Sequence, residues 1–405
     1  MHDIDTLLPL GRGKDTAALR EFDADTLARY VADPANAWWR RRHCVQALDG
    51  RVPEPRLPEL VARVRDTGET AEVRVALLEV LGDRSELLPW LLHEERRDEK
   101  RYGMAEAILK ARGRLGDLSA TGDLATLAAS PWSRTQDAGR AGLDALVSRH
   151  GPDAVLAELG DARSEDRMFR IRMRARNDED VTDALADPDR AVAHLAQSLA
   201  DDPDRLRAYL AEAPTTEAKL WAAYALHRLT EDGDETREIY KSLGRPRVEV
   251  PGLDEDLRAA IVHAYAPGCR RQSDPHWRVE ALATDPPTDA DTDTDTDDRL
   301  RRAAAALAAA GLTPGAPVPI GDHNGQGEGT YYVIPYDGKQ LAVSTLGPFA
   351  AAHDADPAAR RALEAAGFRW IDEDTGSIVV TDLCVYYFGG RAPLDVHTLL
   401  FYWQD

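Results

Sequence analysis

Few residues in this 405-residue chain are spaced for chemistry. The segment HEERR at 93–97 opens like a zinc-protease helix, in which two imidazoles one turn apart hold the metal. Arg97 stands where the second histidine would be, so the segment is not read as a metal site. The loop GDHNGQGEG at 321–329 alternates Asp322, Asn324 and Gln326 like the first ligands of a calcium loop. Its twelfth position is Val333, where that loop requires a bidentate glutamate. Gly325, Gly327 and Gly329 precede a strand, whereas a dinucleotide fingerprint follows one. The segment therefore reads as a flexible connector. Neither a Gly-x-Ser-x-Gly elbow nor a phosphate loop ending in Gly-Lys-Ser/Thr occurs. These patterns predict no catalytic residue, no metal and no cofactor.

Two arginine-rich clusters are the candidate binding surface. Trp38, Trp39, Arg40, Arg41, Arg42 and His43 open one helix. In RSEDRMFRIRMRAR at 163–176, Arg163, Arg167, Arg170 and Arg174 fall at i, i+4, i+7 and i+11, a single helical stripe. Met168, Ile171 and Ala175 form an apolar stripe beside it. Guanidinium groups in a row could clamp phosphates or carboxylates of a partner. The competing reading pairs them with Glu158, Asp161, Glu165 and Asp166, and in so acidic a chain that reading is preferred. Trp90 and Trp221 sit within apolar stripes and read as core. Adjacent Trp38 and Trp39 cannot both face inward, so one of them is expected to be exposed. Cys44 aligns with a buried face and reads as a small hydrophobe.

The elements that must position these residues are helices that keep restarting between about residues 23 and 265. In TAEVRVALLEVLG, Val73, Ala76, Leu77, Val80 and Leu81 recur at helical spacing, and Gly82 follows as a stop. Ala218, Trp221, Ala222, Ala225, Leu226 and Leu229 form a second such stripe, and Val192, Leu195, Ala196 and Leu199 a third. Shorter helices such as LPELVARV (57–64) and DRLRAYL (204–210) alternate with the long ones. The long helices recur near residues 38, 72, 100, 134, 165, 190 and 217, and turns built on Asp33-Pro34 and Asp187-Pro188 precede two of them. One helix pair cannot bury its own stripe, so neighbours must stack into a continuous core. With Arg41 and Arg74 each seven residues before a core leucine (Leu48, Leu81), this region resembles HEAT repeats of the short bacterial kind. The resemblance covers about 240 residues and implies a HEAT-like α-solenoid of stacked helix pairs, with no activity attached.

The whole chain carries 71 acids against 50 bases, a formal charge of −21, which argues against generic adhesion to nucleic acid or anionic lipid. Three scattered cysteines suit a reducing compartment, and no stretch is apolar enough for a membrane span or a signal peptide. The chain therefore reads as cytoplasmic, with no membrane attachment. The array is expected over residues 1–285. The run PPTDADTDTDTDD at 286–298 is self-repelling and is expected to be an extended acidic linker. Residues 299–405 then read as a small α+β domain. It would contain a helix at 299–311, a hairpin of 330–336 and 339–345 around Asp337-Gly338, and a helix at 356–367. Further strands are expected at 368–371, 377–381, 383–388 and 398–403.

Mainly helical architecture without a complete catalytic constellation points first to a non-catalytic interaction or scaffold protein holding a protein partner. Its small domain would cap, recruit or regulate. The HEAT-like alkylpurine DNA glycosylases supply an alternative by resemblance, since they combine concave aromatics, a carboxylate near a tryptophan and basic residues for the DNA backbone. Within the array Trp90 and Glu94 have that relation, one turn apart. The bilin lyases have similar repeats and offer no residue motif to transfer. Nucleic acid as a ligand is disfavoured by net charge. A third expectation is an immunity-like inhibitor that neutralises a basic partner. The oligomeric state is left open.

Overall fold

The computed structural model describes residues 4–8, 17–93, 103–268, 274–286, 293–352 and 356–404. Among them the protein is mainly helical, 61% helix against 8% strand over 22 helices, with a small sheet region toward the C-terminus. Contacts divide the chain into two compact units, Met1–Arg176 and Asn177–Asp405.

The first unit begins with α1 (Ile4–Leu7) and continues as α2 (Ala24–Ala32), α3 (Trp38–Ala47), α4 (Leu57–Arg65), α5 (Ala71–Leu81) and α6 (Leu88–Leu91). It ends with α7 (Met104–Arg114), α8 (Thr121–Ala128), α9 (Ser133–His150), α10 (Pro152–Ala157) and α11 (Ser164–Arg176). Helix α3 packs on α5, α5 on α7 and α7 on α9, while α2 lies against both α3 and α4. The expected stripe of α5 is buried at Val73, Ala76, Leu77 and Leu81. These residues join Leu27, Cys44, Leu60 and Ile108 in one core. Glycines set the spacing further on. A Cβ at Gly113 would stand 2.6 Å from the Gly142 carbonyl oxygen, and one at Gly139 only 2.3 Å from the Ala128 amide nitrogen. Helix α9 therefore touches α7 and α8 backbone to backbone.

The second unit holds α12 (Arg190–Leu199), α13 (Pro203–Glu212), α14 (Thr216–Thr230), α15 (Gly233–Ser242), α16 (Glu255–Tyr265) and α17 (Pro275–Ala283). Aspartate followed by proline starts helices here for a local reason: Asp202 and Asp274 accept hydrogen bonds from first-turn amides while Pro203 and Pro275 occupy the first turn. Next come α18 (Asp293–Ala309), β1 (Val318–Pro319), α19 (Ile320–Asn324), β2 (Glu328–Gly329), β3 (Tyr331–Tyr336), β4 (Lys339–Ser344) and β5 (Phe349–Ala352). The chain finishes with α20 (Pro357–Ala365), β6 (Arg369–Trp370), α21 (Glu373–Gly376), β7 (Val379–Val380), β8 (Leu394–Asp395), α22 (Val396–Leu400) and β9 (Trp403–Gln404).

A five-stranded sheet of order β1-β3-β4-β5-β6 is antiparallel except for the β5–β6 pair. The β3–β4 hairpin turns at Asp337 and Gly338, with φ of +44° and +77°, the left-handed pair that this two-residue turn demands. Side chains alternate across the sheet. Ile334, Leu341, Val343 and Ala350 face Leu300, Ala303, Leu307 and Leu363 of α18 and α20. Phe349 and Ala351 face Leu257, Ile261, Trp277 and Leu399 on the other side.

That second contact corrects the domain reading. Helices α16 and α17 share a core with the C-terminal sheet, so no core boundary falls at 285. The acidic run is not wholly an extended linker either. Residues 293–298 already belong to α18; 287–292 lie outside the described residues. Residues 383–388 form no strand, and Cys384 and Phe388 adopt left-handed φ of +53° and +39°. Residues 398–403 begin as helix α22 and extend only at β9. The presumed connector at 321–329 begins with helix α19 and then pairs as β2 with β9.

Asp356 starts α20, accepting hydrogen bonds from the Ala358 and Ala359 amides at 3.1 and 3.0 Å and an ion pair from Lys339 at 2.7 Å. Lys339 first, then these amides, holds its carboxyl at about 2. Its contribution to stability is present above the ordinary carboxylate value near 4 and is lost as pH falls from about 4 to about 2. Asp356→Ala should cost about 1 kcal/mol at pH 7 as a lost helix cap. In urea titrations at pH 7, 4 and 2, the gap between variant and parent should narrow over the lower interval.

Candidate functional site

The first arginine cluster is split by the helix that carries it. Arg41 points inward and is only 4% exposed, donating through Nη2 to Glu69 at 2.9 Å, through Nη1 to the other carboxylate oxygen, and through Nε to the Asn36 carbonyl at 2.9 Å. It is a buried strut between α3 and the loop ahead of α5, closed to any partner. Arg40 is also engaged, reaching Asp5 and the Leu8 carbonyl, each at 2.9 Å, with its guanidinium 4.8 Å from the Trp39 ring centre. Trp39 is half-buried against the core. His43 Nδ1 lies 3.1 Å from the Gln46 side-chain oxygen. Trp38 and Arg42 remain. Trp38 is 41% exposed, and no described residue forms an ion pair with Arg42.

These two line a groove of about 540 Å³. From α3 come Trp38, Arg42 and Gln46, one to each successive turn, and from the turn just after it Asp49. From α5 come Glu72, Val75, Ala76, Glu79 and Val80, while Arg114 and Arg134 close the far side. A second hollow of about 490 Å³ shares Asp49, Glu79, Val80 and Arg114 with the first, so the groove continues toward Arg84. Three arginines meet three carboxylates along the first stretch, a net charge of zero. Glu79 is occupied, accepting from Lys110 at 2.7 Å, while the Arg114 guanidinium donates to the Glu79 carbonyl at 2.7 Å. Glu72 carries no ion pair among the described residues. The groove therefore offers an aromatic face, a cation and a carboxylate at its rim, over a floor of Val75, Ala76 and Val80.

Sequence reasoning missed Gln46, Asp49, Glu72, Glu79, Arg114 and Arg134. A signal existed, because Trp38, Arg42 and Gln46 recur at i, i+4 and i+8, a different strip of α3 from the buried Arg41 and Cys44. It required treating the basic run as two faces rather than one cluster.

The second cluster is brought together but latched. Arg163 pairs with Asp166 at 2.6 Å and donates to the Gly122 carbonyl at 2.6 Å. Arg167 donates to the Asp161 carbonyl at 2.8 Å, and Arg170 to the Leu159 carbonyl and the Asp161 carboxylate, both at 3.2 Å. Arg174 is half-buried and also engaged. The cause is local, since the loop ahead of α11 presents carbonyls that no helix satisfies and guanidinium groups fill the deficit. Met168 and Ile171 are buried beside them, while Ala175 is only half-buried.

Neither remaining aromatic idea reaches solvent. Trp90 is buried, with the Arg74 guanidinium 5.9 Å from its ring centre, and Glu94 lies outside the described residues. Trp221 is fully buried. Burial pushes the Cys44 thiol up to about 12, so at neutral pH it stays protonated and is no nucleophile. Among the described residues no group of three or more His, Cys, Asp or Glu could hold a metal ion, and no helix is long and apolar enough to cross a membrane. No family model matches the chain, and neither do the curated proteins or the solved structures.

Proposed function

We propose that this is a non-catalytic interaction protein whose first unit is a HEAT-like α-solenoid holding a segment of a protein partner in the Trp38–Arg42 groove. The observation that carries the reading is an exposed tryptophan flanked by Arg42 and Glu72, neither of them ion-paired among the described residues. Tryptophan and arginine are the residue types that most often dominate protein interfaces, and a cation with a carboxylate beside them fixes the register of a bound segment. The succession of α3, α5, α7 and α9 supports the solenoid, because each packs on the next. A nucleic-acid ligand is disfavoured. The groove is electrically balanced, and Arg163, Arg167 and Arg170 already serve carbonyls and carboxylates of their own chain.

The test uses the whole chain and a Trp38→Ala/Arg42→Glu variant as baits in nuclease-treated native lysate. The expected result is one protein held by the parent and depleted at least about tenfold on the variant, consistent with loss of an interface hot spot. Circular dichroism should be unchanged, since both side chains are exposed. Equal capture by both baits, or recovery that disappears with nuclease, would overturn the reading.

A further inference from the structure

The two units differ sharply in charge. Residues 1–176 hold 29 Lys and Arg against 30 Asp and Glu, a net of −1; residues 177–405 hold 21 against 41, a net of −20. Nearly all of the −21 therefore belongs to the second unit, which also exposes aromatic surface. Phe388 is 50% exposed and Tyr386 is 39% exposed. The Phe388 ring lies 5.5 Å from that of Trp403 and 4.8 Å from that of Tyr387.

This face is held firmly from below. Asp382 pairs with Arg190 at 2.8 Å and accepts the Asp274 amide at 3.0 Å, and the Trp277 indole donates to the Thr381 carbonyl at 3.1 Å. At the tip, Tyr387 and Gly390 exchange backbone hydrogen bonds of 3.0 and 2.9 Å around Phe388 and Gly389, whose φ values are +39° and +84°. That is the same left-handed pair found at Asp337-Gly338. There the chain uses the residues such a turn favours; here a bulky aromatic sits where asparagine or aspartate would be at ease. Turn geometry does not account for that residue choice, and packing on Tyr387 and Trp403 still leaves half of the ring in solvent. A ring displayed to solvent at such a site fits a surface that contacts something else.

We infer that this aromatic face docks an arginine-rich segment of a basic protein. Charge complementarity names the partner, since a unit of net −20 attracts a polycation and repels an acidic one. The rings name arginine in particular. The Arg391 guanidinium already lies 5.4 Å from the Tyr386 ring centre, and planar guanidinium stacks on aromatic faces better than a hydrated ammonium does. Two carboxylates lie on the elements that neighbour the strand of Trp403. Glu328 is exposed in β2 opposite Gln404 of β9, Asp322 is exposed on α19 against the same strands, and neither is ion-paired among the described residues. The site lies in the second unit and stands or falls independently of the groove.

The experiment titrates the full chain into fluorescently labelled deca-arginine and deca-lysine peptides, read by anisotropy at 150 mM salt. Saturable binding of deca-arginine, at least about fivefold tighter than deca-lysine, is expected from ring stacking. Phe388→Asn keeps the charge unchanged and suits the turn. It should weaken deca-arginine about tenfold while moving the thermal midpoint by only a few degrees, since the better turn residue offsets the lost ring contacts. Glu328→Gln with Asp322→Asn should also weaken it. Equal affinity for the two peptides, or a Phe388→Asn protein that binds as tightly as the parent, would overturn the inference in favour of diffuse attraction by net charge.

Discussion

Glu280→Ala should destabilise the second unit by about 3–5 kcal/mol, because it strands a buried cation. Arg258 and Glu280 meet through two parallel contacts of 2.6 Å each, with both side chains almost wholly shielded from water. The same guanidinium donates to the Val248 carbonyl at 2.8 Å and lies 4.6 Å from the Trp277 ring centre. All three of its nitrogens donate, and removing the carboxylate leaves a buried charge without its counter-ion. The melting midpoint should fall by roughly 10 °C in a unit of this size. The net worth of the intact pair is a different quantity, since desolvation offsets much of its attraction. Arg258→Met combined with Glu280→Leu should therefore recover most of what Glu280→Ala loses. Urea denaturation of parent, single and double variants separates the cases. A single variant losing less than about 1 kcal/mol would mean that water reaches the pair.

Gly139→Ala sets two effects of opposite sign against each other. Alanine is the better helix former by about 1 kcal/mol. Its methyl carbon would, however, meet the Ala128 amide nitrogen at 2.3 Å and the Leu124 carbonyl oxygen at 2.7 Å, both of them backbone atoms. Helix α9 would have to retreat from α8, and overpacking of this kind costs about 1–3 kcal/mol, occasionally more. We expect the clash to win and the first unit to lose about 2 kcal/mol net. Gly113→Ala, facing the Gly142 carbonyl at 2.6 Å, should behave alike. Gly233→Ala is the control, since nothing lies within 4 Å of the added carbon, and it should be neutral or stabilising by up to about 1 kcal/mol. A stabilised Gly139→Ala protein would show that the helices can part at no cost.

Periodicity made the helices legible because it acts within one turn of chain. The stripe of α14 shows this, with Ala218, Trp221, Ala222, Ala225 and Leu226 buried as their spacing implied and Leu229 half-buried at its end. Val80 shows the limit. It shares the stripe of α5, yet it lines the groove, because only the placement of α3 and α7 decides which edge of a stripe stays open. Arg41 was misread for a similar reason. Its partner Glu69 lies 28 residues away, in the loop ahead of α5, and a guanidinium in sequence looks the same whether it faces solvent or a carboxylate. The small strands failed in both directions. LCVYYF has strand composition but forms none, whereas FAAA at 349–352 has little strand propensity and becomes a strand because β4 and β6 flank it. The glycine contacts among α7, α8 and α9 carry no local signature beyond the residues themselves.

The core shared by α16, α17 and the C-terminal elements also governs how the chain can be made. Leu257, Ile261 and Trp277 are covered by Phe349, Val380, Leu399 and Phe401, which are synthesised about a hundred residues later. At ordinary translation rates those apolar side chains emerge from the ribosome roughly 10 s before their cover does. During that interval they are exposed clients for holding chaperones. A message broken after codon 285 would yield a product whose hydrophobic face never closes, and such a product belongs to the degradation machinery rather than to the folded pool.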